Sequence, residues 1–97
     1  MAMLRSAIRQ ETKLRLTYQD AADVRTERNV WPLVLIYYVD TAMLVGWCEL
    51  RHALRHFRLD RIIASEFLAD RFQGKSEALI VEWEAKHKSE TVSTREL

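Results

Sequence analysis

The sequence predicts a mainly β fold with flanking helices: a small five-stranded barrel between a short N-terminal helix and a C-terminal one. Three observations lead there. Leu14, Leu16 and Tyr18 alternate with Lys13, Arg15 and Thr17, the period of two that a half-buried strand requires. Leu33 to Val39 (LVLIYYV) is an almost unbroken apolar run rich in β-favouring residues, as in a buried strand. The short strands expected between residues 14 and 61 are too few for two packed sheets, so a strongly bent barrel is the economical closure.

Each element has a local reason. Residues 3–11 form an expected helix, with Leu4, Ala7 and Ile8 on one side and Arg5, Arg9 and Gln10 on the other. The strand Leu14 to Tyr18 is followed by a small, polar turn at Gln19 to Asp23. Val24 to Val30 is a polar second strand expected at an edge, with Val24, Thr26, Arg28 and Val30 sharing a face. Pro32, which lacks the donor a central ladder needs, separates it from the third strand, Leu33 to Val39. Asp40 and Thr41 turn the chain into Ala42 to Cys48, where Gly46 marks a bulge or sharp bend. Glu49 to Leu54 is a polar loop and Arg55 to Arg61 the last strand. Ile63 to Phe72 reads as helical, Gly74 breaks it, and Ser76 caps a final helix to about Lys88, with a frayed tail from Thr91 to Leu97. The expected units are residues 1–11 (helix or linker), 12–73 (barrel domain) and 74–97 (helix and tail).

Composition narrows the function. The 97 residues are 48% apolar and 30% charged, a globular rather than disordered profile. A net charge of +1 means that affinity for an anion must come from local clustering of arginine. The single cysteine, Cys48, excludes an internal disulfide and fits a reducing compartment. No apolar run approaches the ~20 residues of a membrane span, and the N-terminus lacks a signal-peptide core, so a cytoplasmic protein without membrane contact is expected. The serines lie in no nucleophile elbow, and two glycines cannot build a phosphate loop, so an enzyme is not expected.

The chemistry concentrates in Trp47 to Ile62 (WCELRHALRHFRLDRI). A helix would set Arg51, Arg55, Arg58 and Arg61 on one face. A strand-turn-strand would give Phe57 and Leu59 to the core and leave His56, Arg58 and Asp60 opposite, and the rest of the chain favours it. Arginine grips phosphate bidentately and stacks on bases. The candidate ligand-binding residues are therefore Arg51, Arg55, Arg58 and Arg61, with His56 and Tyr18 as secondary members, and with Arg15 and Arg28 extending the patch if their strands pack alongside. The bland reading is a solvated face paired with Glu49, Asp60 and Glu66, with Arg61 the most structural and Arg55 and Arg58 the better candidates. Cys48, His52 and His56 have metal-competent spacing only on a helix, and a fourth ligand is lacking, so neither metal nor cofactor is expected. Trp31, Trp47 and Trp83 read as core or interface anchors, Trp47 firmly core. Of the adjacent Tyr37 and Tyr38, one is expected inside.

Three strings carry a family resemblance: LRLTYQD (Leu14 to Asp20), RTERNVWPLVL (Arg25 to Leu35) and WCELR with FRLDRI (within Trp47 to Ile62). Together they resemble the WYL domain of bacterial transcriptional regulators of the YafY/DeoR-like type. The eponymous Trp-Tyr-Leu positions hold Ala42, Met43 and Leu44 here, so only the leucine is kept. The resemblance implies an Sm-like barrel that follows an N-terminal winged helix-turn-helix. The resemblance further implies that the barrel senses a ligand, in several members single-stranded nucleic acid or a nucleotide-like molecule, and relays that state to DNA binding. No helix-turn-helix pattern is read in this chain, so it is expected to be the C-terminal effector half of a longer regulator. The alternative expectation is a structural dimerisation module with no small ligand, a homodimer formed through Leu33 to Val39 or the Trp83 helix.

Overall fold

Leu14 and Leu16 are fully buried and Arg15 between them is exposed, so the period of two sets the inner face of the first strand. The computed structural model describes residues 2–95, and their side chains as far as residue 86. In chain order it contains α1 (Ala2–Gln10), β1 (Thr12–Gln19), β2 (Arg25–Tyr37), β3 (Ala42–Cys48), β4 (Ala53–Arg58), a 3₁₀ turn (Leu59–Arg61), β5 (Ile62–Arg71) and α2 (Ser76–Arg95). The strands form one antiparallel sheet in the order β4-β3-β2-β1-β5.

The expected closure into a barrel is not reached, because β4 and β5 are the two edges and no ladder joins them. The sheet is nonetheless strongly bent. Only the three-residue turn Leu59–Arg61 carries the chain from one edge strand to the other, a reach of roughly 6 Å for a 3₁₀ turn. The edges therefore meet at one corner. There Tyr18 of β1 packs edge-to-face on Phe57 of β4 at 5.3 Å, across the concave face.

Further expectations are corrected. Val24 to Val30 and Leu33 to Val39 are not separate strands, and the first is not an edge. They merge into β2, which runs through Pro32 in the middle of the sheet. Pro32 is tolerated because β1 pairs with β2 only as far as Val30, and the β2–β3 register shifts between Pro32 and Val34. Ile63 to Phe72 is not a helix; its residues up to Arg71 belong to β5. As an edge strand exposed on most of both faces, β5 has no alternation to read. The last expected strand, Arg55 to Arg61, begins earlier and stops at Arg58. The C-terminal helix continues to Arg95 rather than fraying from Thr91; residues 96 and 97 of the expected tail lie outside the described residues.

The concave face carries the core. Leu4 and Ala7 of α1 plug it against Leu14, Leu16, Val30, Leu44, Cys48 and Phe57. On the convex face Trp31 stacks on Phe72 at 5.6 Å and lies tilted against Trp47, which is only half-buried. Tyr37 and Tyr38 are both about half exposed (53% and 51%), so neither belongs to the core. Three tight turns use Glu11, Asp23 and His52 at positive φ, which explains how the fold manages with two glycines.

Glu11 ties α2 to this body. Its carboxylate accepts the backbone N–H of Gly74 (3.1 Å) and of Ser76 (3.2 Å), so it caps α2 from outside the helix. Bonding to Ser76 and Gly74 holds the Glu11 carboxyl below its ordinary range. A lowered folded-state value means that the cap contributes above the ordinary glutamate pKa and is lost as pH falls through the folded value. Acid titration of the tryptophan fluorescence is expected to show an early loosening of α2, absent in Glu11→Gln, which is already loosened at neutral pH. Identical titrations would reject the cap.

Candidate functional site

Face and position sort the arginines of the Trp47 to Ile62 segment. Arg51 is exposed in the β3–β4 turn, and Arg58 closes the other end of β4, roughly 17 Å away at the rise of a strand. They do not form one cluster. Arg55 is exposed and lies opposite Gly46 on the Phe57 side of β4, because Leu44 pairs with Phe57 and Gly46 with Arg55 in one column. His56 lies on the opposite side beside the buried Val45, and its Nε2 accepts the indole N–H of Trp83 at 2.8 Å. Trp83 thereby holds α2 on the convex face, and His56 is turned away from Arg55.

Arg58 grips Asp60 through Nε (3.1 Å) and a terminal nitrogen (2.8 Å). Asp60 raises the Arg58 pKa, and Arg58 lowers that of Asp60. The backbone N–H of Arg58 donates to the Tyr18 hydroxyl at 3.2 Å, so Tyr18, Arg58 and Asp60 make one corner. Arg61 borders a depression that it shares with Asp20, Asp23 and Asp60, an environment hostile to a phosphate. Among the described residues no carboxylate pairs with Arg51 or Arg55. Arg15, on the convex side of β1, reaches Glu66 of β5 at 3.4 Å.

The three metal-competent side chains diverge. Cys48 is buried in the core, His52 sits in the turn and His56 points to α2. Glu49, at the end of β3, is engaged by Trp31 (2.7 Å) and Lys13 (3.2 Å), which hold its carboxyl below the usual range.

One member was underweighted by the sequence. Arg28, on the concave face of β2, is only 9% exposed. Its guanidinium lies over the Phe57 ring at 5.9 Å, and its Nε donates to Thr26 at 3.1 Å. The signal was the alternation Thr26, Arg28, Val30, which puts a charge in an inward column. Arg28 and Arg55 thus flank Phe57 from two strands of the same face.

The WYL domain family profile matches residues 1–67. No curated protein matches the chain. Among solved structures, proteasome accessory factor B/C (PafBC) of Arthrobacter aurescens is similar, with a TM-score of 0.72 and 35% identity over 79% of this chain. The match spans 12% of the PafBC chain. Among the described residues no helix is long and apolar enough to cross a membrane.

Proposed function

Because the chain belongs to the WYL domain family, we propose that it is a non-catalytic, cytoplasmic sensing domain of a bacterial transcriptional regulator. Residues 12–73 form the sensing unit, and a helix-turn-helix domain of the parent protein receives the signal. The ligand is anionic, of the single-stranded nucleic acid or nucleotide class. One observation carries this reading: Arg55 stands exposed beside Phe57 on the concave face, with no carboxylate to neutralise it among the described residues. Arg51 adds charge at the adjoining turn. Arg58 is oriented by Asp60 and Tyr18 rather than free, Arg61 sits among carboxylates, and His56 faces α2 on the convex side, so the proposed site centres on Arg55 and Arg51.

The test is fluorescence anisotropy of the domain with short single-stranded DNA and RNA across a salt series. Saturable binding that weakens with salt is expected, and Arg55→Ala is expected to reduce the salt slope by about one, as for one lost phosphate contact. An unchanged slope rejects Arg55 as a contact.

A dimerisation module is the second reading, favoured by β5, whose outer edge has no partner strand and whose Ile63 and Phe67 are exposed. Of the stretch Leu33 to Val39, residues 33–37 lie within the central strand β2, while Tyr38 and Val39 stand exposed beyond its end and remain available to a partner. A sedimenting dimer that binds no oligonucleotide at low salt would favour it.

A further inference from the structure

Arginine stays charged in proteins, and burying a charge without an opposite one is costly. Arg28 is nine-tenths buried, yet no carboxylate pairs with it among the described residues. The Phe57 ring and the Thr26 hydroxyl offset part of that cost and leave the charge uncompensated. Among the described residues no buried side-chain nitrogen lacks a partner, so the terminal nitrogens of Arg28, which meet no acceptor there, keep some contact with solvent.

We propose that Arg28 anchors a terminal phosphate of the ligand, the phosphomonoester at a strand end or on a free nucleotide. This rests on the reading of the chain as an anion sensor and specifies which anion. Two features select a monoester. An internal phosphodiester carries a sugar on each side, whereas a terminal phosphate has one free side and reaches a group only 9% exposed with less crowding. The guanidinium lies over the Phe57 ring, its carbon 5.9 Å from the centroid, so the ring shields that side and an oxygen pair approaches from the other. Arg55, exposed on the same face, then meets the next charge along the ligand.

The experiment compares labelled single-stranded oligonucleotides carrying a 5′-phosphate, a 3′-phosphate or neither, using the whole chain. A terminal phosphate is expected to tighten binding roughly tenfold or more, the worth of a charge-assisted hydrogen bond. Arg28→Met is expected to erase that preference while leaving the melting temperature of the ligand-free protein unchanged or higher, since an uncompensated buried charge is removed. Competition with a nucleoside monophosphate separates the two sources: displacement assigns a free nucleotide, and none assigns a strand end. Equal affinity for phosphorylated and unphosphorylated strands would overturn the Arg28 anchor and leave the sensor reading standing. Absence of binding by any strand or nucleotide would overturn both. The wild-type phosphate preference is read without any variant, so it decides even if Arg28→Met fails to fold.

Discussion

Phe57→Ala is expected to destabilise the domain by about 3–5 kcal/mol, the usual cost of emptying a buried phenylalanine site. Phe57 is 1% exposed and lies where β4 turns toward β5. Tyr18 and Arg28 both pack on its ring, so the cavity cannot collapse without moving β1 and β2. With total stabilities of about 5–15 kcal/mol, such a loss lowers the melting temperature by on the order of 15 °C or unfolds the protein outright. Phe57→Leu keeps most of the volume and is expected to cost much less, while still removing the ring from under Arg28. Thermal melts followed by circular dichroism distinguish the two. Equal melting temperatures for wild type and Phe57→Ala would mean that the edges of the sheet are not held at this corner.

Gly46→Ala is the second large effect, with the opposite cause. A Cβ at Gly46 would lie 2.5 Å from Val30 Cγ1 and 2.9 Å from the Trp31 carbonyl oxygen. Val30 is fully buried and the Trp31 carbonyl belongs to the central strand, so neither yields easily. Overpacking of this kind costs about 1–3 kcal/mol and shifts the backbone. The close approach coincides with the register shift between Pro32 and Val34 on the facing strand. The glycine thus marks the bend, and the extra residue lies across from it. Val30→Ala in the same chain relieves one of the two clashes. The double variant is therefore expected to be less destabilised than the summed single variants, by calorimetry or chemical denaturation. Strict additivity would show that Val30 is not the obstacle.

These sites also show what the sequence could tell. Leu14, Leu16 and Phe57 were legible because one face of each strand is buried and the other wet. Gly46 was legible as a bend because a strand interior tolerates glycine only where backbones crowd. β5 was illegible: IIASEFLADR is exposed on most of both faces, so burial imposes no alternation, and its alanines, leucine and glutamate are good helix formers. The expected number of strands matched through compensating errors, one strand split at Pro32 and one missed at β5. For the site, spacing of three and four along the arginines carried no spatial meaning once the segment proved to be turn, strand and 3₁₀ turn. Asp60 was correctly suspected of pairing with this face, but Arg61 was read as its most structural arginine; the partner of Asp60 is Arg58.

The strand order has a consequence for how the molecule comes into being. β2, β3 and β4 follow one another and zip locally, but β1 finds its second neighbour only in β5, with Arg15 opposite Glu66 and Leu14 opposite Phe67. That ladder must close a long loop, and its entropic cost is met before any contact rewards it. On the ribosome the meander is therefore complete while β1 still presents an open edge, and only the emergence of β5 covers it. The last strand made is the one that finishes the first, which makes the interval before its arrival the time when a nascent chain is most open to pairing with a stranger.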